Sequence, residues 1–152
     1  MRCKRHGRVV DVVRRCVLAI NAGQGLGIIG PLSPYQAPPK TYNNGSSIPI
    51  SWMFALGGVA IESKDFLPEL RFVRVAGFGR NCATGGTEVA NPVPDKDLFI
   101  SRETPGASTF QYSSMSWKMN WTAPSQPGSC WNVYIGSLAK GQSIRAARLE
   151  LK

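Results

Sequence analysis

The sequence predicts an all-β domain, an antiparallel sandwich or barrel, and three observations carry that expectation. Its 152 residues include 16 Gly and 11 Pro, more than a helical protein carries. From Ala37 onward, short segments alternate with turn residues at intervals of about ten positions. In several of these segments apolar and polar side chains alternate with the period of two that half-buries a strand. The length suits one domain with a core of its own.

Residues 1–16 hold Arg2, Lys4, Arg5, Arg8, Arg14 and Arg15 against Asp11, a net of +5, which leaves +4 of the chain's +9 for residues 17–152. A basic arm can contact phosphates without reading sequence, but a short charge run is more often a solvated leader, so nucleic acid is not the expected partner. Residues 9–20 are the one stretch with a near-helical apolar period, through Val9, Val13, Cys16, Val17 and Ile20. No apolar run approaches the roughly 18 residues of a transmembrane helix. Asp11, Arg14 and Arg15 also spoil the continuous apolar segment of a secretory signal, which leaves another export route or a start that is missing or replaced. Residues 1–26 therefore read as a basic leader or arm, or the tail of a preceding segment, and 27–152 as the folded domain.

The spacing Gly25-x-Gly27-x-x-Gly30 invites a dinucleotide site, which needs a following helix and an acidic residue about 20 positions on. Pro31, Pro34, Pro38 and Pro39 forbid the helix, and no carboxylate lies between Asp11 and Glu62. The stretch reads instead as a glycine linker leading into a proline-rich extended segment. Nine strands are then expected, over 47–54, 59–62, 70–75, 87–90, 98–101, 109–112, 115–121, 130–137 and 143–151. Trp131, Val133 and Ile135 oppose Asn132 and Tyr134 across one strand, while Ala147, Leu149 and Leu151 oppose Arg148, Glu150 and Lys152 across the next. Lys140-Gly141-Gln142 suits the hairpin turn that pairs them.

Candidate chemistry is sparse. His6 is the single histidine and lies in the leader, so the folded body has no Ser-His-Asp or Cys-His device. Four cysteines without paired C-x-x-C spacing do not suggest zinc, and Asp95, Asp97 and Glu103 lack the remaining ligands of a calcium loop. Glu62, Asp65 and Glu69, beside Lys64 and Arg71, read as surface charges rather than a glycosidase pair. No catalytic, cofactor or metal residues are expected. Trp52, Trp117, Trp121 and Trp131 fall in or beside strands and are mostly core. Trp117 and Trp121 share parity, which suggests that one of them sits at a bulge or faces outward, and with Tyr112 they are the candidate contacts for a sugar ring or a partner protein. Cys82 and Cys130 would close a loop of 48 residues as a disulfide, the alternative being two buried thiols; Cys3 and Cys16 are left unassigned.

Six pieces in order resemble the PxKF domain, an immunoglobulin-like module often found at the C-terminus of bacterial secreted and surface proteins. They are Ile28-Ile29-Gly30-Pro31-Leu32-Ser33-Pro34, Lys40 with Gly45 to Trp52, Cys82-Ala83-Thr84-Gly85, Phe110-Gln111-Tyr112, Trp121-Thr122 before Gly128-Ser129-Cys130, and Gly141 to Leu151. The resemblance spans about Gly27 to Lys152; Ser51 and Trp52 stand where the family has the eponymous lysine and phenylalanine, and residues 1–24 match nothing in it. It implies an immunoglobulin-like β-sandwich, a Cys82–Cys130 disulfide and no catalytic residues. The function expected is a non-catalytic structural or adhesive module, extracellular or on the cell surface, whose partners are other protein domains or copies of itself. Two alternatives stand beside it: a self-assembling subunit of a filament, surface layer or virion that exchanges its N-terminal arm, and a polysaccharide-binding module. Asn44-Gly45-Ser46 and Asn120-Trp121-Thr122 are glycosylation acceptors if the source glycosylates.

Overall fold

A computed structural model describes residues 25–29, 40–80, 82 and 85–152; the basic arm, the helical period over 9–20, Cys3 and Cys16 lie outside the described residues. Eleven strands occur among the described residues: β1 (Leu26–Ile29), β2 (Lys40–Tyr42), β3 (Ser47–Leu56), β4 (Val59–Ala60), β5 (Pro68–Ala76), β6 (Thr87–Glu88), β7 (Leu98–Arg102), β8 (Phe110–Ser113), β9 (Ser116–Thr122), β10 (Cys130–Ser137) and β11 (Gln142–Leu151). They form two sheets, one ordered β1-β3-β9-β8 with β4 on β3, the other β2-β11-β10-β5 with β6 and β7 both on β5. Lettered along the chain as in an immunoglobulin constant-type domain, β1, β3, β9 and β8 take the A, B, E and D places, and β5, β10 and β11 those of C, F and G.

All nine expected strands have a counterpart, although those expected over 59–62 and 87–90 are two residues each, and alternation is the reason for the longer ones. In β3, Ile48, Ile50, Trp52 and Phe54 are fully buried while Ser47 and Pro49 are exposed. In β9, Trp117, Met119 and Trp121 face the same interior and Lys118, Asn120 and Thr122 face out. The expectation that one tryptophan of this pair sits at a bulge or outside is thereby corrected: β9 pairs with β3 in unbroken register, so equal parity puts both rings in the core. Between the sheets, Trp121 stacks on Phe72 at 4.0 Å and 10°, and meets Trp131 edge-on at 5.8 Å.

Two strands depart from the expectation. The stretch read as a glycine linker contains β1, whose Leu26, Gly27, Ile28 and Ile29 pair antiparallel with Leu56 back to Met53. β2 joins the opposite sheet parallel to β11, so the sandwich is mixed at this position rather than wholly antiparallel. The chain thus changes sheet between β1 and β2. The β10–β11 hairpin turns at Gly141, with φ of +61°, and keeps the expected faces. Its register slips at Val133/Tyr134, leaving Ala146 as an extra buried residue in β11.

Candidate functional site

Two features are candidates: a disulfide-pinned loop on the outer face of the second sheet, apart from the main core, and a recess at one end of the sandwich, whose aromatic wall belongs to that core. Cys130 shares parity with Asn132 and Tyr134 and so points away from the intersheet core. It bonds Cys82, with Cα atoms 5.6 Å apart, in a small separate cluster with Val75 and Phe78. The bond therefore fastens the β5–β6 connection over the sheet's outside; it does not join the two sheets. Arg148, on the outer face of β11, donates from Nη1 to the carbonyls of Cys82 and Gly85 and from Nε to Asn132 Oδ1. Glu88 accepts from Asn132 Nδ2 at 2.9 Å and from the Tyr134 hydroxyl. Asn132, expected on a wet face, is in consequence only 3% exposed. Burial, reinforced by the neighbouring Glu88 carboxylate, raises the Tyr134 phenol above its ordinary value, against the opposing pull of Arg71 and Arg145.

The recess, about 400 Å³, opens between the β4–β5 connection, the β7–β8 connection and the β8–β9 hairpin. Phe110, Tyr112 and Trp117 form its wall, and Lys64, Asp65 and Glu103 bring charge to its mouth. The hairpin turns through Ser114 and Met115, with φ of +50° and +63°, and so sets Tyr112 directly opposite Trp117 with ring centroids 4.7 Å apart. Both rings are fixed at their polar tips. Trp117 Nε1 donates to Ser63 Oγ at 3.0 Å; the Tyr112 hydroxyl donates to Glu62 and accepts from the Ser63 N–H at 3.0 Å. The same connection carries Leu67 at φ +49°, a conformation that costs a bulky residue energy, and its carbonyl accepts the Leu138 N–H at 2.9 Å.

Of the three aromatics singled out from sequence, the structure brings Tyr112 and Trp117 together at the recess and removes Trp121 to the core, where it is 4% exposed and offers no surface to a ligand. No family description, curated protein or solved structure compared with this chain matches it. What the chain can do is accordingly read from its own geometry. Among the described residues no group of three His, Cys, Asp or Glu is placed to hold a metal ion. Asp97 is instead tied to Arg74 at 2.6 Å and to the Val93 N–H at 3.2 Å. Burial pushes its carboxyl upward, but the Val93 N–H and the Arg74 guanidinium outweigh that and hold it below the ordinary carboxylate value. Glu69 pairs with Arg102.

The residues that sequence reasoning missed are Glu62 and Ser63, which lock the recess aromatics, and Arg148, which holds the disulfide loop. Apart from the Arg148–Asn132 bond, 16 positions apart, their partners lie about 50 residues or more away in the chain, so local pattern carries no trace of them. The two acceptor sequons also differ. Asn120 is exposed on the outer face of β9, whereas Asn44 Nδ2 donates to the Lys152 carbonyl and its Oδ1 accepts from Ser125.

Proposed function

We propose that this chain is a non-catalytic, immunoglobulin-like structural or adhesive module of an extracellular or cell-surface protein, as the PxKF resemblance implies. The observation that carries the reading is the Cys82–Cys130 disulfide, which unites the two cysteines that fall in the resembling pieces and is compatible with an oxidising compartment. The two-sheet architecture supports it, as does the hydrogen-bonded engagement of the outer-face polar groups of β10 in holding structure. No helix among the described residues is long and apolar enough to cross a membrane. Mass mapping of the exported protein under non-reducing conditions tests the proposal: a Cys82–Cys130 linked peptide is expected, and a free Cys82 thiol sinks it.

A second reading, a self-assembling subunit of a filament, surface layer or virion, draws support from the edge of β11. β2 covers only its last three residues, and among the described residues nothing pairs with the rest of that edge. A single monomeric species in light scattering across concentration and salt counts against it. The polysaccharide reading requires an open ring face, which Trp121 lacks, and Trp117 is 3% exposed.

A further inference from the structure

The disulfide loop covers one end of the second sheet's outer face, around Val75 and Cys130. Further along β10 the registers set Ile100 of β7, Arg71 of β5, Tyr134 of β10 and Arg145 of β11 side by side, one row across four strands. A period of two keeps all four on the face away from the core. Ile100 is 45% exposed and Arg145 is exposed, while Arg71 and Tyr134 are half-buried. The middle of the row is held in place: the Arg71 guanidinium carbon lies 4.5 Å from the centre of the Tyr134 ring, and the Tyr134 hydroxyl donates to Glu88.

Charge does not cancel at this level of the face. Glu69 pairs with Arg102, and Glu88 accepts from Asn132 and Tyr134. Arg148 is engaged with Asn132 and with the Cys82 and Gly85 carbonyls, and Glu150 stands at the far end, opposite Cys130. Arg71 and Arg145 meet no oxygen acceptor among the described residues, and the Arg71 Nε is buried without one. Their Cα atoms lie two strand spacings apart, roughly 10 Å.

Two unanswered guanidiniums with a tyrosine between them and an isoleucine at the rim have the composition of a protein-binding surface. Arginine and tyrosine are enriched there, and a guanidinium takes a carboxylate through two parallel hydrogen bonds. An open sheet face suits a macromolecule, since a small ligand needs a concave site. Glu69 and Glu88 border the row on its two sides, so a continuous run of phosphates or sulfates meets repulsion that separate carboxylates avoid.

We propose that this row docks an acidic surface of a partner protein, an inference that rests on the adhesive reading of the module and names its partner's chemistry. Arg71 and Arg145 each take a carboxylate, and Tyr134 and Ile100 pack against the apolar surface between and beside them.

The test titrates the full, disulfide-bonded chain at low salt with capped hexaglutamate and capped hexaglutamine peptides, following backbone amide signals by NMR. Hexaglutamate is expected to move the signals of Arg71, Tyr134 and Arg145 in the millimolar range, with hexaglutamine weaker by about fivefold or more. Arg145→Gln, an exposed change, weakens hexaglutamate by about twofold to fivefold, and Arg71→Gln acts in the same direction. Lys118→Gln removes the same charge from the outer face of the other sheet and leaves binding unchanged. No movement up to the solubility limit, equal binding of the two peptides, or a loss in Lys118→Gln as large as that in Arg145→Gln overturns the proposal. So does a sulfated oligosaccharide or an oligonucleotide of equal charge that binds the row more tightly than hexaglutamate. A free Cys82 thiol in the exported protein speaks against the module as a whole, whereas a failed titration speaks against the row alone.

Discussion

Reducing the Cys82–Cys130 bond, or replacing both residues by alanine, releases a loop closed across 48 residues. The chain-entropy relation gives about 4 kcal/mol for a closure of that length at 25 °C. Spread over a domain of this size, where each kcal/mol moves the midpoint by about 2–4 °C, the loss lowers Tm by about 8–16 °C. Both cysteines are fully buried against Val75 and Phe78, so the double alanine variant also forfeits some packing and falls slightly below the reduced wild type. The assay is urea unfolding of both proteins with and without reductant, read by tryptophan fluorescence. Reductant should shift the wild-type midpoint and leave the alanine variant unmoved. A reduced wild type within about 1 kcal/mol of the oxidised form refutes the reasoning: the Arg148 clamp would then hold the loop unaided, or the reduced unfolded chain would already be constrained.

Gly86→Ala places a Cβ 2.8 Å from Val75 Cγ1 and 2.9 Å from the Ala76 carbonyl oxygen at φ +78°, and is expected to cost about 2–4 kcal/mol in chemical denaturation. Because the Asp97 carboxyl is lowered in the folded state, its contribution is present above the ordinary carboxylate value and is lost as pH falls through the lowered one; Asp97→Asn should flatten the acid limb of the stability–pH curve. Tyr134 runs the other way. Its raised phenol contributes fully below the ordinary tyrosine value and loses that contribution as pH rises through the folded one, so Tyr134→Phe should remove part of the alkaline limb. Gly136→Ala sets a Cβ 2.7 Å from the Gln142 carbonyl oxygen and should loosen the β10–β11 pair, seen as faster amide exchange at Ser143 and Ile144.

The strands were legible where one face is core and the other wet, because only a period of two satisfies both. That condition holds along β3, β9 and most of β11; β10 is buried on both faces, and there it is the alternation of apolar with polar residues that marked the strand. It fails in β1, which is four residues with a glycine at its second position, and in β2, whose three residues are defined by a parallel partner more than a hundred positions away. Trp117 and Trp121 have equal parity in the sequence, yet one of them was expected at a bulge or facing outward; the unbroken register of β9 with β3 puts both inside, which parity alone does not decide. The cysteine pair was offered by its spacing, with two buried thiols as the alternative, and implied by the resemblance. Its position on the outside of a sheet was not legible, because that depends on where the β5–β6 connection returns. The recess was half visible: Tyr112 and Trp117 stood out as aromatics, whereas Ser63, 1% exposed and bonded to both, has nothing in its local sequence to mark it.

The parallel pairing of β2 with β11 bears on what happens when the molecule is pulled. Tension transmitted from the chain ahead of β2 to the chain after β11 draws the two strands in opposite directions along their shared length. Once β1 has yielded, the bonds between Lys40–Tyr42 and Leu149–Leu151 are loaded together in shear rather than opened one by one. If that patch gives way, the 48-residue span closed by Cys82 and Cys130 still does not pay out, so the extended chain is shorter by about 160 Å than its residue count allows. The domain is thus arranged as a latch in series with a fixed tether, and single-molecule stretching with and without reductant would read the tether directly as a difference in extension.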